Sequence, residues 1–445
     1  MDSVLINKLG RPLPRYTSYP TTPHFHAEIG RKDYESWIGA LARGSRLSLY
    51  VHIPFCDTLC WFCACSTKIT RRYAPIAKYL ECLEAEIEHV SQLLPDSVHV
   101  DHIHWGGGSP DILRPEDILR LSSIVRDRFT VASDAEFAVE IDPRELNEKR
   151  TSALLAAGVS RISLGVQDFD PAVQAAINRF QSIEKTRAVV ERFRKAGVES
   201  VNVDLVYGLP FQTPRTARRT IDAVIALDPS RVAIFGYAHL PQRVRHQRLI
   251  KDDSVPGVED RLTLCQIMTE RLAAAGYTRA GVDHFCKPDD AMAHRPLRRN
   301  FQGYTTDASD ALFGFGASAI SRLPQGYVQN AAPIADYQRR IESAGLASVR
   351  GVALSPQDRA RAFAIETLMC QLRFPERELC ENFGEVGQRV ANESARLTEF
   401  ADNGLLEPAQ NGFIVTEKGR PFLRAIAAEF DSYLGQRIAT HSTGF

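Results

Sequence analysis

The chain has 445 residues, 44% hydrophobic and 24% charged, which is typical of a folded protein with two or three domains. Its 54 Lys and Arg residues balance its 54 Asp and Glu residues, so no overall field would attract nucleic acid or anionic lipid. No uncharged apolar run approaches the ~20 residues that span a bilayer, and residues 1–13 lack the hydrophobic core of a secretory signal. We therefore expect a cytoplasmic protein without nucleic-acid or membrane partners.

The first 46 residues contain a segment, Gly10 to Pro23, that is rich in proline. Its prolines, at positions 12, 14, 20 and 23, rule out a continuous helix or a central strand. The segment also carries Arg15, Tyr16 and Tyr19, side chains that can hold a planar anion. Two interpretations remain open: an exposed surface arm, or a strap that lies over an active site.

Four cysteines, Cys56, Cys60, Cys63 and Cys65, follow directly after a strand-like run at 47–53. Thiolates bind zinc or iron–sulfur clusters, but the C-x3-C-x2-C spacing differs from the two separated pairs of a structural zinc site. Three thiolates suit a 4Fe–4S cluster in which one iron keeps an open position, and Cys65 is then not a ligand. A zinc site and, in a chain expected in a reducing compartment, a disulfide framework are the alternatives.

Strand-like and helical patterns alternate from residue 47 onward. The strand-like runs are 47–53, 100–105, 136–141, 160–166, 200–206 and 231–237, and the helical ones are about 75–94, 115–127, 146–156, 183–196, 213–226 and 258–275. This alternation predicts parallel βαβ units with right-handed crossovers. Six units are too few for a closed eight-stranded barrel. We therefore predict an α/β fold with a partial (β/α)6 barrel.

The carboxyl ends of these strands carry residues that can bind ligands. They are the cysteine loop, Gly106–Ser109, Glu140 with Asp142, Gly165–Asp168, Asp204 and Tyr237–His239. Each taken alone could be a turn or a helix cap. Because parallel strands bring their carboxyl ends to one rim, the six together predict an active site there.

Beyond about residue 280 the pattern changes, and a Gly-x-Gly at 314–316 lacks a full dinucleotide fingerprint. Residues 355–445 are mostly helical, and 397–406 followed by 412–416 predicts a helix and a small β wing. The helices around this winged-helix-like part are rich in glutamate, which opposes DNA binding and favours a packing or lid role. The predicted domains are an N-terminal arm at 1–46, the barrel at 47–300 and a mostly helical C-terminal domain at 301–445.

Seven stretches together carry a family resemblance. They are Pro14–Pro20, the four-cysteine stretch, His104–Pro110, Gly165–Phe169, Asp204–Pro210, Tyr237–Pro241 and Asn300–Thr306. With them the chain resembles the oxygen-independent coproporphyrinogen III oxidases of the radical S-adenosylmethionine (SAM) superfamily, from about residue 11 to the C-terminal helix. The resemblance implies an oxidoreductase of haem and porphyrin biosynthesis. Such an enzyme converts two propionates of coproporphyrinogen III to vinyl groups and yields protoporphyrinogen IX.

The resemblance also implies a set of cofactors and their binding residues. A 4Fe–4S cluster would be bound by Cys56, Cys60 and Cys63, with two S-adenosyl-L-methionine molecules nearby. The cluster-bound SAM would contact Tyr50, Gly107, Glu140 and Ile320, and the second would contact Phe62, Gly108, Ser109, Gln167, Arg179, Asp204 and Ala238.

Three positions depart from the pattern of the family. Ser109 stands where the family usually has threonine, so the hydroxyl is kept. Ala64 and Ser66 stand where glycine and asparagine are frequent, which leaves the role of Cys65 open.

The implied chemistry begins when a low-potential electron cleaves SAM at the open iron. The resulting 5′-deoxyadenosyl radical takes a hydrogen atom from the β-carbon of a propionate, and loss of carbon dioxide and one electron then leaves a vinyl group. Arg15, Arg298 and Arg299 are candidates to pair with the propionates. We further expect a flavodoxin-type electron donor and a monomeric enzyme.

Three other functions are alternatives to this one. A haem chaperone built on the same scaffold generally lacks the Pro14–Pro20 arm and the Cys-x-Cys ending, which are both present here. A radical methyltransferase that opens haem would need the same cluster, and the arm again argues against it. A regulator without a metal, acting through the wing, is the third alternative.

Overall fold

The computed structural model describes residues 3–435. Its strands are β1 (Arg46–Ile53), β2 (Phe55–Cys56), β3 (Lys68–Ile69), β4 (His99–Gly107), β5 (Val131–Ile141), β6 (Arg161–Gln167), β7 (Ser200–Tyr207), β8 (Arg231–Gly236), β9 (Thr278–Ala280), β10 (His284–Cys286), β11 (Arg298–Asn300), β12 (Gly303–Thr305), β13 (Ala311–Phe315), β14 (Ile320–Leu323), β15 (Gly326–Asn330), β16 (Ser348–Ala353), β17 (Arg373–Pro375), β18 (Leu406–Ala409) and β19 (Gly412–Val415).

The α-helices alternate with these strands and then dominate the C-terminal part. They are α1 (Ser3–Leu9), α2 (Arg31–Gly39), α3 (Ala74–Leu93), α4 (Pro115–Arg128), α5 (Glu148–Ala156), α6 (Pro171–Ala176), α7 (Ile183–Lys195), α8 (Pro214–Ala226), α9 (Val258–Ala274), α10 (Ala291–His294), α11 (Ile334–Ala344), α12 (Pro356–Gln371), α13 (Glu376–Ala391), α14 (Thr398–Asp402) and α15 (Leu423–Ala428). Among the described residues, none of the helices is long and apolar enough to cross a membrane.

The strands β1 and β4 to β8 form the predicted parallel barrel. They are hydrogen-bonded side by side in the order β1-β4-β5-β6-β7-β8, every pair of neighbours parallel. The hydrophobic side chains of these strands and of the surrounding helices form one large core. The prediction of a partial (β/α)6 barrel is thus confirmed.

The same sheet extends beyond the six predicted strands on both sides. β13 pairs in parallel with β1 and continues through the antiparallel strands β14 to β16, while β10 and β9 add antiparallel strands next to β8. In the described sheet β16 and β9 are the two edges, so the barrel is open. The sheet therefore reaches past residue 300, where we predicted the barrel to end; the domain boundaries stay a prediction.

The C-terminal part and the N-terminal segment share a second hydrophobic core. The predicted wing is formed by the antiparallel strands β18 and β19, next to the mostly helical part that was also predicted. Tyr16 and Tyr19 are 4% and 3% exposed, and their hydroxyl groups bond Asp431 (3.1 Å) and Ser432 (3.0 Å). The proline-rich segment is therefore packed between other elements rather than exposed. Residues 1–2 of the predicted arm and 436–445 of the predicted C-terminal domain lie outside the described residues.

A buried carboxylate joins α3 to the strands and helix that extend the sheet. Glu86 is 1% exposed and accepts hydrogen bonds from Gly316 N–H (2.7 Å), Asn330 Nδ2 (2.6 Å) and Tyr337 Oη (2.8 Å). Burial raises the pKa of Glu86 to about 7, although the three donors act in the opposite direction. The network stabilises the packing of β15 and α11 on the barrel.

We predict that Glu86→Ala lowers the free energy of unfolding by about 3 kcal/mol, because three buried donors lose their acceptor. Glu81→Ala, an exposed change in the same helix, should alter it by less than about 0.5 kcal/mol. Because the pKa of Glu86 is higher in the folded chain than its ordinary 4.5, its contribution to stability falls as the pH rises from 4.5 to about 7. Urea unfolding at several pH values measures both effects; equal stabilities of the two variants would contradict the prediction.

Candidate active site

The glycines at the end of β4 hold the start of the cysteine loop. The N–H groups of Gly108 and Ser109 donate to the carbonyl oxygens of Ile53 (2.9 Å) and Phe55 (2.8 Å). A Cβ atom at Gly108 would lie 2.5 Å from the Phe55 oxygen, so only glycine permits this approach. The glycine stretch is thus a structural support for the loop as well as a candidate ligand contact.

Two side chains from distant parts of the barrel hold the other end of the loop. Asn178 Nδ2 donates to the carbonyl oxygen of Leu59 (2.8 Å), and Gln247 Nε2 donates to that of Phe62 (2.8 Å). Sequence reasoning missed both residues, because an amide that bonds a remote backbone group leaves no periodic or spacing signal. Asn178 has a positive φ of 53°, a conformation that asparagine tolerates better than most residues.

The four clustered cysteines differ in their surroundings. Cys60 is buried, Cys56 and Cys63 are half-buried and Cys65 is exposed; all nine cysteines are free, so the disulfide alternative has no support. Hydrogen bonding from Cys65, whose backbone nitrogen lies 3.4 Å from Cys63 Sγ, lowers the pKa of Cys63, whereas burial raises the pKa of Cys56. Cys65 thus acts on a neighbouring sulfur, a role consistent with its not being a ligand.

Two arginines add positive charge beside the sulfur of Cys60. Arg179 Nη1 and Arg144 Nη2 lie 3.5 and 3.6 Å from Cys60 Sγ. Both also pair with Asp142, at 3.2 and 2.6 Å, and they hold the pKa of that carboxyl at about 2 in spite of its burial. The sequence pattern indicated Asp142 as a candidate site residue, but it did not indicate its partner Arg144.

This donor set fits an iron–sulfur cluster. Among the described residues no three His, Cys, Asp or Glu side chains are grouped closely enough to hold a single metal ion. A cubane cluster instead takes one thiolate for each of three irons. The guanidinium groups next to Cys60 Sγ would offset part of the negative charge that a cluster and its thiolates carry.

Glu140 presents a charged carboxylate next to the cysteine loop. It accepts a hydrogen bond from Gly107 N–H (3.0 Å), and its Oε1 lies 3.2 Å from His104 Nε2. Burial opposes ionisation, but His104 and the Gly107 N–H hold the pKa of Glu140 below its ordinary value. A Cβ atom at position 106 would lie 2.6 Å from Oε1, so Gly106 makes room for the carboxylate.

Asp204, on β7, is held by two neighbouring polar side chains on the inner side of the barrel. Ser163 Oγ donates to its Oδ2 (2.8 Å) and Asn202 Nδ2 donates to its Oδ1 (2.8 Å). Burial raises the pKa of Asp204. The carboxyl is therefore fixed in position and keeps free acceptor capacity.

Most of the predicted site residues surround one cavity of about 310 Å³, which we call the active-site cavity. Its lining includes Cys56, Cys60, Cys63, Phe62, Gly107, Gly108, Ser109, Glu140, Gln167, Arg179 and Asp204. An adjoining cavity of about 510 Å³ is lined by Ala238 and also by Phe62, Gln167 and Asp204.

Two predicted residues, Tyr50 and Ile320, line neither of these cavities. Tyr50 stacks on His104 with ring centroids 5.8 Å apart and bonds His52 Nδ1 (2.9 Å). Ile320 begins β14 and packs in a small cluster that includes Phe25. Their contact with SAM stays a prediction.

Comparison with known proteins supports the same assignment. The radical SAM superfamily profile matches residues 50–224. The chain is 43% identical to the oxygen-independent coproporphyrinogen III oxidase of Bradyrhizobium diazoefficiens over 434 residues, which cover 97% of this chain and 96% of that protein. The enzyme of the same name from Pseudomonas aeruginosa is 42% identical over 441 residues, with 97% and 96% covered.

A solved structure agrees over the whole chain. Coproporphyrinogen III oxidase (HemN) from Escherichia coli, described as a radical SAM enzyme, superposes with a TM-score of 0.91 at 38% identity. The match covers 97% of this chain and 99% of that one. The chain therefore belongs to the oxygen-independent coproporphyrinogen III oxidase family of the radical SAM superfamily.

Proposed function

We propose that this enzyme carries out the oxygen-independent oxidative decarboxylation of two propionates of coproporphyrinogen III, which yields protoporphyrinogen IX. The observation that carries the proposal is identity of 40–43% over nearly the full length of relatives with this name, from the arm to the C-terminal part. The chain is thus an oxidoreductase of porphyrin and haem biosynthesis.

The cofactors of the superfamily are a 4Fe–4S cluster and S-adenosyl-L-methionine. We propose Cys56, Cys60 and Cys63 as the cluster ligands, because they share one cavity with two guanidinium groups that would offset part of the negative charge of a cluster and its thiolates. When bound, the cluster and SAM supply the 5′-deoxyadenosyl radical that removes hydrogen from the substrate.

We further propose where SAM binds. The cluster-bound molecule would contact Tyr50, Gly107, Glu140 and Ile320. Glu140 supports this assignment because its charged carboxylate suits an ammonium group or ribose hydroxyls.

A second SAM molecule is a separate part of the proposal. Its contacts would be Phe62, Gly108, Ser109, Gln167, Arg179, Asp204 and Ala238. All seven line the active-site cavity or the adjoining one, which supports the assignment. The Ser109 hydroxyl already donates to Asp111 (2.8 Å), so we expect it to accept rather than donate toward SAM.

The residues of the chain serve to bind, orient and shield. Asp204 and Glu140 hold polar groups in fixed directions, whereas Phe62 and Phe235 supply apolar walls that exclude water. We expect a flavodoxin-type electron donor, a monomeric enzyme and a cytoplasmic location, where thiols are kept reduced.

The direct test is an anaerobic assay of the protein with its cluster reconstituted. Coproporphyrinogen III, SAM and a reductant are added, and the porphyrins are separated by chromatography after oxidation. We expect loss of two carboxyl groups and formation of protoporphyrin. Cleavage of SAM with methylation or opening of haem, and no decarboxylation, would favour the methyltransferase alternative.

The cluster ligands can be tested separately from activity. Replacing Cys56, Cys60 or Cys63 by Ala should abolish the brown chromophore and reduce bound iron to near zero. Cys65→Ala is the matched control and should keep both, since three thiolates already provide one ligand to each of three irons. Iron and sulfide analysis with visible absorption measures this; loss of the cluster in Cys65→Ala alone would overturn the assignment.

Glu140→Ala should weaken SAM binding by about ten- to a hundredfold, because a hydrogen bond to a charged group contributes about 1.5–3 kcal/mol. The cluster content should not change, because the carboxylate is not among the proposed ligands. Anaerobic calorimetry of the reconstituted protein measures the affinity. Equal dissociation constants for the variant and the wild type would count against Glu140 as a SAM contact.

A further inference from the structure

A third cavity, of about 640 Å³, adjoins the active-site cavity and has no role in the assignments above. Phe235 lines both of them, and Gly236 lines the third cavity and the one that contains Ala238. The volume is typical of a small-molecule site, and a large ligand can extend from one cavity to the next. We call it the arginine cavity, because four arginines line it: Arg15, Arg279, Arg299 and Arg424.

Four carboxylates also line the arginine cavity, but most of them face water. Glu259, Glu270 and Glu417 are exposed residues. Asp283 is the inner one, and its Oδ1 lies 2.7 Å from His284 Nδ1. The pKa of Asp283 stays far below its usual range despite burial, mainly because of its hydrogen bond with His284. The interior of the cavity therefore carries more positive than negative charge.

Arg299 is a buried cation with unused hydrogen-bonding capacity. Its side chain is 6% exposed, and its Nη2 lies 3.9 Å from Asp283 Oδ2, too far for a hydrogen bond. Its Nε donates to the carbonyl oxygen of Arg15 (3.2 Å), and its guanidinium lies 4.4 Å from the ring centre of Tyr304. The buried Nη1 has no hydrogen-bond partner among the described residues. A buried donor without an acceptor is costly, and an anion next to this guanidinium would reduce that cost.

The other arginines strengthen this positive field. Burial and the nearby charge of Arg15 lower the pKa of Arg424 to about 10. Arg15 itself donates from Nη2 to the carbonyl oxygen of Gly236 (3.1 Å), at the border between two cavities. An anion bound among these groups would relieve the repulsion between them.

We infer that the arginine cavity binds the two propionates of coproporphyrinogen III that the reaction leaves intact, with Arg299, Arg15 and Arg424 as their partners. The inference rests on the proposed function. The two surviving propionates are neighbours on one edge of the macrocycle, and planar guanidinium groups match carboxylates in pairs of hydrogen bonds. The reacting side chains on the other side of the ring would then extend past Phe235 toward the active-site cavity.

Arg298, the neighbour of Arg299 on β11, has a different environment. Its side chain is 52% exposed and pairs with Glu366 (3.3 Å), and it is not part of the lining of the arginine cavity. Both arginines line a separate cavity, together with Arg322. We therefore leave Arg298 out of the assignment and choose Arg322 as the matched control, since it is an exposed arginine outside the arginine cavity.

Binding of stable oxidised porphyrins tests the inference without turnover. Coproporphyrin III carries all four propionates, whereas protoporphyrin IX carries only the two surviving ones. In protoporphyrin IX dimethyl ester both of these propionates are esterified and carry no charge. Arg299→Gln and Arg15→Gln should raise the dissociation constants of the first two by about ten- to a hundredfold and leave that of the ester unchanged. Arg322→Gln should change none of them. Fluorescence quenching of the porphyrins by the cluster-reconstituted protein measures all of these affinities.

Each outcome separates the assignment from its alternatives. If the variants lose affinity for coproporphyrin III but keep their affinity for protoporphyrin IX, these arginines bind the reacting propionates and the inference is wrong. If none of the constants changes, the cavity does not hold carboxylates. If the wild type binds none of the porphyrins, the proposed function fails first. Arg15 is exposed, so Arg15→Gln decides the question even if Arg299→Gln does not fold.

The kinetic counterpart uses the anaerobic assay. Arg299→Gln should raise the KM for coproporphyrinogen more than it lowers kcat, while the slow cleavage of SAM without substrate stays at the wild-type rate. Arg299→Lys keeps the charge and should recover part of the affinity. A general structural defect would reduce both reactions together and would not be rescued by lysine.

Discussion

The parallel alignment of six strands is the constraint on which the site depends. Because all six end at the same rim, Cys60, Glu140 and Asp204 share one cavity although long stretches of chain separate them. The strands themselves are held by one large hydrophobic core, which leaves their carboxyl ends free for polar groups.

The close approach of the β4 glycines to the cysteine loop fixes the loop on the barrel and so positions the candidate site. Backbone hydrogen bonds fix where the loop begins, and amide side chains fix where it turns back. These contacts restrict the conformations open to the loop, which lowers the entropy that ligand binding must overcome. Arg144 and Arg179 then set the charge around Cys60.

Local signals in the sequence were sufficient for most of the barrel. The predicted helix at 75–94 is observed as Ala74–Leu93, since its apolar residues repeat with helical spacing. The strand predicted at 136–141 begins earlier, at Val131, because its first half is only partly buried and lacks an apolar pattern. Contacts between distant segments, such as Asn178 with Leu59 or β13 with β1, leave no such local signal. The resemblance supplied residue identities, and the SAM contacts of Tyr50 and Ile320 stay a prediction.

The buried N-terminal segment has a consequence for how the enzyme is made. Tyr16 bonds Asp431, and Arg15 lines the arginine cavity together with Arg424, so segments near both ends of the described chain lie beside this cavity. During synthesis the cysteine loop and its barrel strands emerge long before residue 431. The barrel can therefore begin to fold before the C-terminal residues that line the arginine cavity have been made. A chain that ended before Glu417 would keep the cysteine loop and the barrel strands but would lack Glu417, Pro421 and Arg424 from the lining of that cavity.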